Sequence, residues 1–215
     1  MEPVEVERGI WQLKLPLRRG GLRFTNTYLL SETLVDAGED SREARSSLER
    51  QLASLGLEVS DLKHLIITHL HRDHIGLVNF IRSTSGVKIY GHEEASKISS
   101  APDGVEEARD QALDHLGGGL FFGIFGVLEG GLRGLRPIIR IDRKVRDGDL
   151  IPLEGSTLEV FWTPGHSREH ICLLETERGI LFTGDHILPS ITPHIGLRKL
   201  DGSDPLRDYL GSLKR

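Results

Sequence analysis

Cysteine is almost absent from this chain. Cys172 is the only one in 215 residues, so no disulfide can form within it. Its setting, Ile171-Cys172-Leu173-Leu174, reads as a strand, where a packed core thiol in a reducing compartment is the expected role. No window approaches the roughly 18 consecutive apolar residues that a membrane span needs. The start, Met1-Glu2-Pro3-Val4-Glu5-Val6-Glu7, is acidic and lacks the apolar run of a signal peptide. An excess of positive charge is missing too: the net charge of −5 argues against a general nucleic-acid binder. Gly-X-Ser-X-Gly does not occur, so nothing marks a serine nucleophile. These absences point to a soluble, cytoplasmic protein. With 38% hydrophobic residues, the chain can bury its core as a single domain over 1–215.

What the chain does have is histidine at the ends of apolar runs. Leu65-Ile66-Ile67 reads as a buried strand, and Thr68-His69-Leu70-His71-Arg72-Asp73-His74 follows it directly. His69 and His71 have period-2 spacing, so an extended backbone sends both rings to one side. Asp73 and His74 come where the chain bends into the helical pattern Ile75, Val78, Ile81, and they can face a neighbouring point. Imidazole and carboxylate groups so placed can hold two metal ions, zinc or iron by ligand type. A solvated polar loop is the plain alternative, and it does not account for so tight a cluster.

The order of elements predicts an α/β fold. Strands are expected at Gly9–Leu15, Asn26–Leu30 and Thr33–Asp36, the last pair around a tight Ser31-Glu32 turn. Ser41 to Gly56 carries Ala44, Leu48, Leu52 and Leu55, a helix stopped by glycine. A helix over Ile75–Arg82 and a strand over Val87–Tyr90 follow, with His92 read as an ordinary exposed residue at a helix start. Residues from about 101 to 141 break this rhythm as a helical insertion. Its apolar, glycine-punctuated part, Leu120–Leu128, suggests a lid or substrate wall. The basic run Arg133, Arg136, Arg140, Arg143, Lys144 and Arg146 is either a solvated face or a contact for an anionic substrate tail. Later, Thr163-Pro164-Gly165-His166 ends the strand Thr157–Trp162 in a sharp turn, and Thr183-Gly184-Asp185 presents a carboxylate after Gly179–Phe182.

Thr-His-Leu-His-Arg-Asp-His resembles the His-X-His-X-Asp-His signature of the metallo-β-lactamase superfamily, and His166 and Asp185 follow in that family's order. The resemblance implies an αββα sandwich and two divalent metal ions, zinc first, with iron or manganese using the same ligands. It assigns His69, His71 and His166 to the first metal, Asp73 and His74 to the second, and Asp185 to both. It also gives Asp36, in Asp36-Ala37-Gly38, the role of buttressing the site, where a turn aspartate is the other reading. The family completes its second metal with a later histidine, and here the chain closes on a helical stripe, Leu206, Tyr209, Leu210, Leu213. The C-terminal half of the fold is therefore expected to be incomplete, the chain being either a piece of a longer protein or a short variant. Of His170, His186 and His194, the last lies best to replace that ligand or to touch substrate. The function implied is hydrolysis of a thioester, ester or related carbonyl substrate by a metal-bridging hydroxide, with Asp73 orienting or accepting the proton. The alternatives are a phosphodiesterase or endoribonuclease of the same superfamily, and a metal-binding but inactive scaffold.

Overall fold

Several strands place two large apolar residues in succession, Leu29-Leu30, Leu34-Val35 and Leu65-Ile66, which only a sheet covered on both faces can bury. The computed structural model describes residues 1–18, 22–99, 139–196 and 203–215 and shows that arrangement. Strands β1 (Val4–Glu7), β2 (Ile10–Pro16), β3 (Phe24–Leu30), β4 (Thr33–Val35), β5 (His64–Ile66), β6 (Lys88–His92) and β7 (Arg143–Val145) form one sheet in sequential order. It is antiparallel from β1 to β4 and parallel from β4 to β7. Strands β8 (Leu150–Leu153), β9 (Ser156–Trp162), β10 (Ile171–Glu175) and β11 (Ile180–Phe182) form a second, antiparallel sheet.

The alternation of side chains divides the core in two. Leu29, Leu34 and Leu65 turn outward to meet Ala44, Leu48 and Leu52 of α1 (Arg42–Ser54), with Val78 and Ile81 from the next helical segment. Their neighbours Leu30, Val35 and Ile66 turn inward onto Leu158, Val160, Ile171, Leu173 and Phe182 of the second sheet. A one-residue slip in β5 would exchange these faces, so both layers fix its register. Ser41 caps α1 by accepting from the Ala44 amide, and Gly56 follows at φ +77°.

The helix expected over Ile75–Arg82 is instead two pieces, α2 (Arg72–Ile75) and α3 (Val78–Ser85). Gly76 lies between them, where an added Cβ would stand 2.0 Å from the Asp40 amide nitrogen. The 38–40 loop is thus seated directly on the junction, and the Gly76 amide donates to the Gly38 carbonyl at 2.7 Å. The strand expected to stop at Tyr90 continues to His92, followed by α4 (Glu93–Ser99). His92 is consequently not exposed: it is buried and stacks on Trp162, ring centroids 5.2 Å apart. Strands β7 and β8 have no counterpart in the sequence reading; β8 is an edge strand, the place where Pro152 costs no ladder bond.

The helix and lid segment expected at about 101–141 lies outside the described residues up to 138, as do Arg133 and Arg136. Ile139 is buried in the outer core layer and Ile141 packs against it. Cys172 is buried as expected, and burial pushes its thiol up to about 11. Among the described residues no helix is long and apolar enough to cross a membrane.

The last described helix, α5 (Pro205–Ser212), is capped by Asp204 and docks through its polar residues. The Ser212 hydroxyl donates to the Pro164 carbonyl at 2.8 Å, and the Tyr209 hydroxyl to the His186 carbonyl at 3.2 Å. Arg215 forks onto Asp147 and lies over the Phe161 ring on the outer face of the second sheet. The expected stripe is therefore divided: Leu206, Leu210 and Leu213 are exposed, and Tyr209 faces the body.

Candidate metal centre

Strand ends from both sheets deliver the clustered side chains. The chain leaving β5 carries His69 and His71, the turn after β9 carries His166, and the turn after β11 carries Asp185. Gly165 sits in the second of these at φ +144°, and a Cβ there would stand 2.5 Å from Tyr209 Cβ. Only glycine admits α5 this close to the His166 turn. Gly184, at φ +48°, is similarly wedged between His170 and Thr68.

The resulting geometry brings His69, His71, His166 and Asp185 together, one ligand atom from each lying within 4.8 Å of the others. His166 Nε2 is 2.8 Å from His71 Nδ1 and 3.3 Å from Asp185 Oδ2. His69 Nε2 is 3.9 Å from that same oxygen. On the other side of the carboxylate, Asp185 Oδ1 is 3.3 Å from His74 Nε2, which lies 3.7 Å from Asp73 Oδ2. Asp185 thus faces both groups of side chains, the arrangement expected of a shared ligand.

Hydrogen bonds to the opposite ring nitrogens aim the inner ones. His166 Nδ1–H donates to the His194 carbonyl at 2.8 Å, and His74 Nδ1–H to Asp36 Oδ2 at 2.8 Å. The Thr68 hydroxyl donates to Asp36 Oδ2 at 2.8 Å, so its oxygen accepts from His69 Nδ1–H at 3.0 Å. His69 Nε2 is buried and has no hydrogen-bond partner among the described residues. An orphaned buried acceptor costs about 1–3 kcal/mol, which coordination of an ion removes. The donors fit a zinc-like divalent ion, which takes imidazole nitrogens and a carboxylate oxygen. Nitrogens around such an ion sit roughly 3.3 Å apart, so the closest pair needs only a small opening. The inner nitrogens of His69, His74 and His166 each have a hydrogen-bond partner on the far side of the ring, as metal-ligating histidines do.

Burial and the neighbouring charges set the ionisation of the cluster. Burial, reinforced by its histidine neighbours, pushes His69 well below the ordinary imidazole range. Burial also lowers His166, against the pull of Asp185 and the His194 carbonyl. Burial opposes charge on His74 as well, yet Asp36 and Asp185 outweigh it and hold His74 well above its ordinary value. Burial works against charge on Asp185, but the His74 hydrogen bond and the nearby imidazoles keep its carboxyl well below the usual range. In the metal-free protein Asp36 and Asp185 thus favour the charged form of His74. Because the folded pKa of His74 is raised, its stabilising contribution is present in full below about pH 6.5 and is lost as pH rises through the folded value. An ion bound at His74 must displace the proton there, so metal affinity is expected to rise with pH through neutrality, with proton release. Calorimetry in buffers of different ionisation enthalpy measures this; a pH-independent affinity with no proton release would contradict it.

Other expected residues take different places. Asp36 sits buried behind the cluster at φ +63°, accepting from the Thr68 amide as well as from His74. His194 meets the cluster through its carbonyl. His186 packs against the Tyr209 ring, centroids 5.1 Å apart. Both nitrogens of His170 are engaged, with Thr163 and the Asp185 amide, so it is not a ligand. In the basic run, Arg146 pairs with Glu93, and Arg140, Arg143 and Lys144 are exposed. Glu169, absent from the sequence reading, is buried and accepts from the Leu70 amide at 3.0 Å.

The comparisons with known proteins agree with this geometry. The profile of the metallo-beta-lactamase superfamily matches residues 20–214. A probable metallo-hydrolase of Bacillus subtilis, YqjP, is 30% identical over 193 residues, covering 85% of this chain and 59% of its own. An atrochrysone carboxyl ACP thioesterase of Aspergillus fumigatus is 29% identical, covering 78% of this chain and 30% of its own length. The chain therefore spans less than two thirds of the length of these relatives. A metallo-beta-lactamase family protein of Thermus thermophilus superposes with a TM-score of 0.80 at 31% identity, over 98% of this chain and 70% of that one. A beta-lactamase domain protein of Burkholderia ambifaria gives 0.74 at 26%, over 99% and 66%. The α/β architecture, the ordered candidate side chains and these matches agree: the chain belongs to the metallo-beta-lactamase superfamily.

Proposed function

We propose that this site hydrolyses a thioester or a related carboxylic ester, using two divalent metal ions. The observation that carries the reading is His69 Nε2, buried and without a hydrogen-bond partner among the described residues, facing the inner nitrogens of His71 and His166 and an oxygen of Asp185. His69, His71, His166 and Asp185 would hold one ion, and Asp73, His74 and the other Asp185 oxygen the second. Zinc is the first choice by ligand type, with iron or manganese using the same donors. Bound there, such ions supply hydroxide near neutral pH and polarise a carbonyl oxygen.

The remaining work falls to the chain. Asp36 and the His194 carbonyl hold the His74 and His166 rings by their outer nitrogens. The Asp73 side chain is 36% exposed, open enough to orient an incoming water and take its proton. Exposed Arg140, Arg143 and Lys144 suit a small-molecule substrate with an anionic tail. The thioester class is supported by relatives named as thioesterases, at 26% identity in Emericella nidulans and 29% in Aspergillus fumigatus. The test is a panel of acyl thioesters, aryl esters, lactones and RNA with zinc-loaded protein. Chelator-sensitive thioester or ester cleavage is expected. No cleavage across the panel sinks the reading, and metal-dependent cleavage of RNA alone moves the function to phosphodiester hydrolysis.

A further inference from the structure

We infer that Glu169 and His170 are positioning residues, which set the metal centre by holding its three ligand-bearing segments in register. The inference rests on the metal reading above. Neither residue belongs to the group of inner ligand atoms, and both are buried, at 2% and 0% exposure. Glu169 Oε1 accepts from the Leu70 amide at 3.0 Å, the peptide unit between His69 and His71. His170 Nε2 accepts from the Asp185 amide at 3.1 Å. That bond leaves the proton on His170 Nδ1, which donates to the Thr163 hydroxyl at 2.8 Å in the His166 turn. The main chain repeats the pattern: the Thr163 amide donates to the His170 carbonyl, and the Ile171 amide to the Thr68 carbonyl, both at 2.9 Å.

Residues 169–171 therefore touch the segment after β5, the turn after β9 and the turn after β11. An apolar pair could fill this volume without the cost of burying polar groups, and would leave the Leu70 and Asp185 amides without acceptors. Those amides lie outside the sheet ladders and flank the proposed ligands, so their acceptors act on the spacing of the site together with the main-chain bonds. Gly184 makes the contact direct, since a Cβ there would stand 2.7 Å from His170 Nε2 and 3.0 Å from the Thr68 hydroxyl.

The experiment compares zinc affinity by chelator competition, and melting temperature with and without zinc, in Glu169→Leu, Glu169→Gln, His170→Phe, His170→Gln and Thr163→Val. Partners behind metal ligands typically govern about 10–100-fold in affinity, and that loss is expected for Glu169→Leu and His170→Phe, with a smaller zinc-induced rise in melting temperature. The glutamine variants keep an acceptor, and for His170 a donor, and should recover most of the affinity. Thr163→Val is nearly isosteric and is expected to fold even where the harsher variants do not, with a several-fold loss. Wild-type zinc affinity in the folded variants, with only the zinc-free melting temperature lowered, overturns the inference. A wild-type chain that binds zinc but hydrolyses nothing overturns the hydrolase reading alone, since the affinity comparison stands without activity. One that binds no zinc overturns both.

Discussion

Asp185→Ala is expected to lower turnover by about 10³-fold or more, because losing metal activation returns the attacking water from a pKa near 7 toward 15.7. Asp185 faces both groups of candidate ligands, 3.3 Å from His166 Nε2 through Oδ2 and 3.3 Å from His74 Nε2 through Oδ1. Its removal takes an anion from among three imidazoles and leaves neither metal position complete. The backbone of residue 185 still bonds to His170, so the fold should survive. Asp185→Asn keeps the shape but offers a single acceptor oxygen, and should also lose most activity. Steady-state kinetics with metal content measured on the same preparation decides the matter. A variant retaining a tenth of wild-type turnover would contradict the assignment.

Asp36→Ala should be the most destabilising single change near the site. Its carboxylate is buried and accepts from the Thr68 amide at 2.8 Å, the Thr68 hydroxyl at 2.8 Å and His74 Nδ1 at 2.8 Å. Breaking a buried, hydrogen-bonded ion pair by removing one partner costs about 3–5 kcal/mol. The same change frees the His74 ring, so metal affinity is expected to fall by about 10–100-fold. Asp36 also sits at φ +63°, a conformation that asparagine tolerates better than alanine. Asp36→Asn keeps that backbone but has one acceptor oxygen for donors on both sides, so an intermediate loss is expected. Denaturant midpoints of the metal-free variants measure the first effect. A loss below about 1 kcal/mol would show that the pair is solvated rather than buried.

The contrast between what the sequence discloses and what it hides follows from distance along the chain. Helix α1 was legible because its Ser41 cap, its Leu48 and Leu52 spacing and its Gly56 stop are all local. The candidate cluster was legible because its side chains lie on the short turns that end the apolar runs Leu65–Ile67, Val160–Trp162 and Ile180–Phe182, so a strand end and a reactive side chain are close in sequence. The split between α2 and α3 was not, since its cause is the 38–40 loop seated on Gly76. Glu169 finds its partner at Leu70, 99 residues away, and no local pattern announces such a bond. His92 reads as exposed from its place at a helix start, but it is buried and stacks on Trp162 of the other sheet. Helix α5 had an apolar stripe that periodicity detects. That it docks by Ser212 and Tyr209 instead depends on Gly165 opening a place for it.

The central claim is that these side chains form a metal centre, and metal content per chain tests it most directly. Protein purified without chelator, dialysed against metal-free buffer and measured by elemental analysis should retain one equivalent of zinc, iron or manganese at the site of His69, His71, His166 and Asp185. A second, weaker equivalent should appear on titration, held by Asp73, His74 and Asp185. Both should be lost in Asp185→Ala. A folded wild-type chain that retains no metal, and takes up none at micromolar concentrations, would contradict the account at its root.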